Sequence, residues 1–214
     1  MDTKREILAR LEKEYFGAKP ALHFKNPYEL LVATILSAQC TDVRVNKVTE
    51  GLFQHYPSAK ELAEADFDQL SQKIKSCGCY AVKAKNLIAT AKMLVERYGG
   101  QVPQTMEELT SLAGVGRKTA NVVLSNAFGI PGIAVDTHVF RVSNRLGLAH
   151  AKDVEHTEQQ LCDLIPREKW GNAHHWLIYH GRQVCSARKP KCGQCFLADL
   201  CPYEEKNLQE TEKK

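Results

Sequence analysis

Apolar residues recur at helical spacing along most of the chain. The clearest stripe lies between residues 80 and 98, where Ala84, Leu87, Ala91 and Leu94 fall on one helix face and a Gly-Gly pair follows directly. No run alternates apolar and polar residues in the way that a half-buried strand requires. The pattern therefore predicts an all-α protein in which helices are joined by short turns.

Capping residues mark several of the predicted helix boundaries. Asn26 precedes a proline, which is the order expected for an N-cap and the first helical position. Capping boxes begin at Ser58 and Thr105, each with a glutamate three residues later. Glycines that follow apolar periodic segments predict the ends of two helices, over about 118–128 and about 137–146.

Bulk composition sets only broad limits. The chain has 214 residues, 43% of them hydrophobic, and a formal net charge of +4. That length can bury one or two cores, and the charge is too small to explain nucleic-acid binding by itself. The N-terminus is charged and amphipathic rather than an apolar signal, and no run is long enough to cross a membrane. We therefore expect an intracellular protein.

Local charge is more informative than net charge. Residues 111–135 and 169–198 contain no Asp or Glu, whereas acids collect at residues 61–68 and 204–212. Segregation of this kind produces a positive face that attracts phosphates. Chance clustering on a solvated surface is the alternative.

Four cysteines near the C-terminus carry the most specific pattern in the chain. They have the spacing C-x6-C-x2-C-x5-C, which can hold either zinc or an iron–sulfur cube. Zinc ribbons usually combine two C-x2-C pairs, and only one is present, so the longer gaps favour a loop around a larger cluster. Disulfides are not expected because nothing marks the chain as secreted. The four residues are Cys185, Cys192, Cys195 and Cys201.

The second specific pattern is the segment LAGVGRKTA at residues 112–120. Gly114 and Gly116 make a tight turn between two predicted helices, and the start of the second helix can bind a phosphate. A dinucleotide loop would need a preceding strand and a third glycine, and a Walker loop would need a different spacing. The pattern is typical of a helix–hairpin–helix, which binds a DNA backbone without reading its sequence. An ordinary connection between helices is the alternative.

Lys118 and Asp136 are the candidate catalytic pair. The positive end of a helix and a partly dry pocket both disfavour an ammonium, so a lysine in the first turn can act as a nucleophilic amine. Asp136 follows a Gly- and Pro-broken turn and begins the next predicted helix. Taken singly, Lys118 is equally well explained as a phosphate contact and Asp136 as an N-cap.

The combined arrangement LxGVGRKTAN…VDTH resembles the signature of the endonuclease III family of DNA repair glycosylases. The resemblance extends over nearly the whole chain and includes the cysteine loop. Its other segments are LSAQCTD at 36–42, KAKN at 83–86, VDTHVFRVSNRLG at 135–147 and HHWLIYHGR at 174–182.

The resemblance implies two all-helical domains with DNA in the cleft between them. Residues 20–130 would form a six-helix domain that contains the helix–hairpin–helix. Residues 1–19 would join 131–214 in a discontinuous domain that holds one 4Fe–4S cluster on the four cysteines. The protein would be a monomer in the bacterial cytoplasm, associated with the nucleoid.

The resemblance also implies an activity, that of a bifunctional DNA glycosylase and AP lyase. Lys118 would attack the sugar and form a Schiff base, Asp136 would assist, and β-elimination would cut the strand 3′ to the abasic site. The expected substrates are oxidised pyrimidines in duplex DNA, with the nucleotide flipped out of the helix. The expected DNA contacts are Gln39, Asp42, Cys79, Gly114, Val115, Gly116, Arg117, His138, Arg188, Lys189 and Lys191.

Two positions depart from the family pattern. Ala113 replaces the proline that usually precedes the hairpin glycine, which should loosen the hairpin slightly. Cys79 replaces a leucine that resembles an apolar wedge inserted beside the flipped nucleotide, so the wedge role is in doubt. Gln39, which matches the family's gap-filling residue, is then expected to carry more of that task.

Two other functions fit parts of the sequence. A non-catalytic or redox-sensing iron–sulfur protein that binds DNA would need no lysine–aspartate pair. An adenine-specific mismatch glycosylase usually lacks the lysine and carries a further C-terminal domain. The presence of both Lys118 and Asp136 favours the glycosylase/lyase.

Overall fold

The protein is all-α, as the periodicity predicts. A computed structural model describes residues 2–208; residue 1 and residues 209–214, with the end of the acidic segment 204–212, lie outside that range. Within residues 2–208 there are eleven α-helices, three 3-10 turns and no β-strand. None of the described helices combines the length and apolarity needed to span a bilayer.

The chain divides into two compact units. One unit is Pro20–Ile130, and the other consists of the chain up to Lys19 together with the chain from Pro131 onward. The helices are α1 Thr3–Glu14, α2 Pro27–Leu36, α3 Asp42–His55, α4 Ala59–Ala63, α5 Phe67–Ile74, α6 Tyr80–Tyr98, α7 Met106–Thr110, α8 Arg117–Phe128, α9 Thr137–Arg145, α10 Val154–Leu164 and α11 Trp170–Gln183. The 3-10 turns are Lys75–Cys77, Arg167–Lys169 and Cys192–Gln194.

The unit Pro20–Ile130 is built around α2, a helix that is buried on almost every side. All of its residues after the first proline are buried, which is why the segment YELLVATIL lacks a polar face. Helix α6 packs on α4 and α5, and α2 packs on α8. The resemblance implied six helices here, whereas the described residues form seven, two of which, α4 and α7, are single turns of five residues.

The other unit joins α1 to α9, α10 and α11. Ile7 and Leu11 bury the apolar face of α1 in the same core as Val139, Val142 and Leu177. The Arg10 guanidinium donates to the Phe196 carbonyl at 3.1 Å and to Asp199 at 2.9 Å. A Cβ on Gly181 of α11 would meet the His138 side chain at 3.1 Å, so glycine permits the close packing of α9 on α11.

Most of the predicted caps are present. The Asn26 side chain accepts from the Glu29 amide, and Ser58 with Glu61 forms a complete capping box. Thr105 accepts from the Glu108 amide, but the Glu108 carboxylate binds the Thr105 hydroxyl instead of its backbone amide, so that box is incomplete. The two helices predicted from terminal glycines are α8 and α9, each within one residue of the expected ends.

Candidate active site and DNA interface

The glycine turn between α7 and α8 has the geometry of an anion-binding hairpin. Gly114 has a φ of 74°, a left-handed conformation that favours glycine, and Gly116 is the extended N-cap of α8. No side chain caps α8, so the start of this twelve-residue helix can bind an external phosphate. Both glycines are exposed, as such a contact requires.

Helix α6 supports the hairpin from beneath. The Thr90 hydroxyl donates to the Ala113 carbonyl at 2.7 Å. A Cβ on Gly114 would lie 2.7 Å from Asn86 Nδ2, so only glycine fits against this side chain. This bond uses a backbone carbonyl, which alanine and proline both have. The bond to Thr90 therefore does not require the proline that the family usually has at this position. No pattern in the sequence indicates this supporting role for Thr90 or Asn86.

Lys118 lies in the first turn of α8, and its side chain is exposed, as is that of Arg117. No described residue forms a hydrogen bond or ion pair with the Lys118 ammonium. The expectation that a partly dry pocket surrounds Lys118 is therefore wrong for the chain without DNA. Val115 also differs from expectation, because its side chain is 6% exposed and packs in the core, so any contact with DNA would use its main chain.

Two exposed turns of the same unit hold residues in an unusual backbone conformation. Gln39 has a φ of 54° and Cys79 a φ of 45°, and within residues 2–208 they are the non-glycine residues with positive φ. Such a conformation costs on the order of 1–3 kcal/mol and persists only where the surroundings impose it. Both side chains are exposed, whereas Asp42, the first residue of α3, is half-buried. The outliers thus coincide with two of the predicted DNA contacts.

Asp136 is the N-cap of α9, which was the alternative explanation for this residue. Its Oδ1 accepts the amides of His138 and Val139, each at 2.8 Å. The second oxygen, Oδ2, makes no hydrogen bond to any residue in the described range, and the side chain is half-buried. Oδ1 therefore caps α9, while Oδ2 remains available to interact with a substrate.

His138 and Arg141 lie on α9, close to its N-cap Asp136. Arg141 Nη2 lies 3.1 Å from His138 Nδ1 and donates to the Gly181 carbonyl at 3.0 Å, while its Nε donates to the Cys185 carbonyl at 3.0 Å. Burial lowers the pKa of His138, and the Asp136 carboxylate offsets this only in part. The neutral imidazole of His138, which can accept as well as donate a hydrogen bond, is therefore favoured.

The four C-terminal cysteines line one cavity in the second unit, together with Arg145, His180 and Lys206. Arg145 donates from Nη1 to the Ser186 carbonyl at 2.7 Å and lies 3.6 Å from the Cys185 sulfur. His180 Nε2 is 3.7 Å from the Cys195 sulfur, and its Nδ1 is 3.1 Å from the Tyr15 hydroxyl. Arg145 and His180 therefore direct nitrogen atoms at two of the cavity's sulfurs.

This cavity fits an iron–sulfur cluster. Four thiolates around a 4Fe–4S core carry a net negative charge, which the neighbouring arginine and lysine would balance. Within residues 2–208 no three or more His, Cys, Asp or Glu side chains converge on a single metal ion, so the four cysteines line the cavity without forming a compact one-ion site. Burial raises the pKa of Cys195 to about 11, so its thiol must release a proton when iron binds.

The basic residues of the cysteine loop are all exposed. Arg188, Lys189 and Lys191 lie between Cys185 and the 3-10 turn Cys192–Gln194. The Ser186 hydroxyl donates to the Lys189 carbonyl at 2.6 Å, and the Lys191 amide donates to the Val184 carbonyl at 2.9 Å. These bonds fix the backbone of the loop while leaving the cationic side chains directed to solvent.

Each unit thus gathers part of the predicted site. Lys118, Gln39 and Cys79 belong to Pro20–Ile130, whereas Asp136 and the cysteine loop belong to the other unit. Sequence reasoning missed the two arginines that hold the cysteine loop, Arg141 and Arg145. Their spacing of four residues on α9 placed them on one face, but only the fold shows which loop they contact.

Comparison with protein families agrees with this arrangement. Residues 32–167 match the HhH-GPD superfamily of base excision DNA repair proteins, and residues 185–201 match the iron–sulfur binding domain of endonuclease III. Endonuclease III of Synechocystis is 56% identical over 198 residues, which cover 92% of this chain and 90% of that protein. Endonuclease III of Haemophilus influenzae is 50% identical over 95% of this chain and 97% of its own length.

A solved structure shows the same fold. A trapped covalent intermediate of an endonuclease III with DNA superposes with a TM-score of 0.90 at 47% identity. The match covers 94% of this chain and 97% of that one.

Proposed function

This chain belongs to the endonuclease III family of base excision repair proteins, and on that basis we propose which of its residues perform the reaction. The chain is a bifunctional DNA glycosylase and AP lyase that holds a 4Fe–4S cluster. Its partner is duplex DNA. The assignment of roles to individual side chains is the proposal.

DNA binding is assigned to elements that contact the backbone rather than the base edges. The hairpin glycines, Gly114 and Gly116, and the uncapped start of α8 bind phosphate on one stretch of backbone. The exposed Arg188, Lys189 and Lys191 contribute further phosphate contacts. Because a base inside a duplex cannot be reached by a side chain, the target nucleotide is flipped out. Gln39 and Cys79 then occupy the space it leaves.

Base release is assigned to Lys118 and Asp136. The Lys118 amine attacks C1′ of the flipped nucleotide, the C1′–N bond breaks, and the base leaves with the bonding electrons and acquires a proton. Positive charge develops on the sugar in this step, and the Asp136 carboxylate stabilises it and assists proton transfer. Its Oδ2 is the oxygen that makes no hydrogen bond within residues 2–208.

Strand cleavage follows from the same covalent intermediate. Opening of the sugar ring converts the Lys118 adduct to a Schiff base between Nζ and C1′. Removal of a proton from C2′ then expels the 3′ phosphate with the electrons of the C3′–O bond, which cuts the strand on the 3′ side. Water hydrolyses the remaining imine and returns the free lysine, so one amine serves both reactions.

The cysteine loop has a structural part in this scheme. When bound, the 4Fe–4S cluster cross-links four points of the loop and supplies no atom to the bond chemistry. Arg141 and Arg145 tie that loop to α9, the helix that Asp136 caps. The cluster therefore fixes the positions of the exposed basic residues relative to α9.

We assign oxidised pyrimidines in chromosomal DNA as the substrates and the bacterial cytoplasm as the location. The lesion preference rests on family membership. The observation that supports the catalytic assignment most directly is the exposed, unpaired ammonium of Lys118 beside the phosphate-binding turn.

Borohydride trapping tests this function. Duplexes that carry an oxidised pyrimidine or an abasic site are mixed with the protein and reduced, and the modified lysine is mapped by mass spectrometry. We expect one covalent adduct, at Lys118, on both duplexes. A protein that binds both duplexes without forming an adduct would instead be a non-catalytic iron–sulfur DNA-binding protein.

A further inference from the structure

Lys83 of α6 is a buried lysine whose three ammonium hydrogens all meet backbone carbonyls. Only 5% of the surface of Lys83 is exposed to solvent. Nζ donates to the Leu36 carbonyl at 2.8 Å, the Ala38 carbonyl at 2.7 Å and the Cys77 carbonyl at 2.7 Å. No carboxylate among the described residues forms an ion pair with it. A lysine has three donors, so this arrangement satisfies it completely.

The three carbonyls come from two separate turns. Leu36 and Ala38 lead from α2 into the turn that carries Gln39, and Cys77 leads into the turn that carries Cys79. These are the turns in which the two exposed residues adopt positive φ. One buried ammonium therefore connects both turns at points one to three residues from Gln39 and Cys79.

Burial of this charge is not explained by packing. Moving an ammonium out of water is costly even when it is hydrogen-bonded, and an apolar side chain of similar length would fill the space without that cost. Strained residues persist only where the surrounding structure fixes them. The three bonds fix the two turns in this way, and they also pair the carbonyls of buried Leu36 and Cys77, which are away from water.

We propose that Lys83 is a positioning residue for nucleotide flipping. It holds the Gln39 turn and the Cys79 turn at a fixed separation, so that both side chains enter the space vacated in the base stack. This inference rests on the proposed function, in which Gln39 and Cys79 occupy that space. Lys83 touches neither the sugar nor the base and acts through the two turns.

The positioning role has a specific kinetic consequence. Release of a damaged base requires a stacked and paired nucleotide to leave the duplex, whereas an abasic site has no base to unstack. Loss of Lys83 should therefore slow base release more than it slows cleavage of a preformed abasic site. A lysine that only stabilises the fold would affect both reactions equally.

The test compares Lys83→Met with Leu87→Ala. Leu87 lies one turn further along α6, is fully buried, and belongs to the hydrophobic core. Both variants are assayed in single turnover at temperatures where each is fully folded. We expect Lys83→Met to lose at least about tenfold more in base release than in abasic-site cleavage, and to lose the signal of a fluorescent base placed opposite the lesion. Leu87→Ala should keep the wild-type ratio and signal.

The opposite outcomes overturn the proposal. Equal losses in the two reactions, or an intact fluorescence signal in Lys83→Met, would reduce Lys83 to a stability residue. If Lys83→Met does not fold, Lys83→Arg replaces it under the same criteria, because a planar guanidinium cannot match three carbonyls around one point. Wild-type trapping at Lys118 is measured in parallel, so failure of the proposed function is distinguished from failure of this inference.

Discussion

Asp136 accepts the amide hydrogen of Val139 at 2.8 Å and thereby caps α9. The same carboxylate is the proposed stabiliser of positive charge on the sugar. The two tasks use different properties of the side chain, since a cap needs an acceptor oxygen and charge stabilisation needs a negative charge. Asparagine keeps the first property and lacks the second.

We therefore predict that Asp136→Asn slows base release by on the order of 100-fold or more while leaving stability almost unchanged. Asparagine and aspartate cap helices about equally well, whereas Asp136→Ala should also cost ~1 kcal/mol of unfolding free energy. Cleavage of a preformed abasic site should fall much less, because the aldehyde needs only an amine. Single-turnover kinetics on the two substrates and denaturant unfolding measure these effects.

Asp153→Asn is the matched control. Asp153 caps α10 by accepting the His156 amide at 2.9 Å, in the same unit as Asp136. This variant should retain full activity. A loss of base release in Asp153→Asn equal to that in Asp136→Asn would show that the effect is not specific to the Asp136 carboxylate.

Lys118→Gln should abolish borohydride trapping and strand cleavage. Glutamine keeps similar length and polarity but has no nucleophilic amine. Affinity for an abasic-site duplex should stay within about tenfold, or ~1.4 kcal/mol, because the hairpin contacts remain. Lys92→Gln, an exposed lysine of α6, is the control and should behave as wild type. A trapped adduct in Lys118→Gln would identify another amine as the nucleophile.

Local signals were sufficient to predict several of the helices of this chain. The apolar stripe with Gly99 after it gave α6 its correct ends, Tyr80–Tyr98, and the segment before Gly129 gave α8. These features depend on residues within a few positions of one another. Cys79 is different, because its left-handed backbone is imposed by the turn around it and no local preference of cysteine indicates it.

Sequence patterns do not predict the contacts between segments that are far apart in the chain. Lys83 was noticed only as part of a family motif, since nothing near it in sequence shows that its ammonium reaches Leu36, 47 residues away. The exposure of Lys118 was also mispredicted, because helix position alone does not determine which elements cover a side chain. The discontinuous arrangement of α1 with the chain after residue 130 likewise came from the family resemblance rather than from periodicity.

The cluster assignment makes a compositional prediction. Purified protein should be yellow-brown and contain about four irons with matching sulfide per chain. Cys192→Ser should lose iron and destabilise the cysteine loop, with weaker DNA binding as the result. Cys162→Ser, on α10 and outside the cavity, should keep the cluster. One zinc per chain without sulfide would contradict the assignment, as measured by metal and sulfide analysis.

Lys191 should bind phosphate without regard to sequence. We predict that Lys191→Ala weakens binding to lesion and undamaged duplexes alike and makes the salt dependence of affinity shallower by about one phosphate. Lys60→Ala is the control, because Lys60 is exposed on α4 beside the acidic segment 61–68 and should not contact DNA. A loss of affinity limited to one lesion, with the salt dependence unchanged, would argue against a backbone contact.

Cys79→Leu tests whether the shorter side chain limits nucleotide flipping. Cys79 is exposed at the start of α6, and leucine adds apolar volume that can enter the base stack. Leucine is not β-branched, so it should tolerate the φ of 45° about as well as cysteine does. We expect flipping and base release to rise by up to about tenfold, which corresponds to ~1.4 kcal/mol.

Fluorescence of a base analogue opposite the lesion reports flipping directly, and Cys79→Ala separates loss of the thiol from gain of bulk. Alanine should flip the nucleotide no better than cysteine, because it adds no volume. Equal signals from Cys79→Leu and wild type would mean that this turn does not act as a wedge. Gln39, the other exposed residue with positive φ, would then carry that task alone, and Gln39→Ala should reduce the signal more than any change at Cys79.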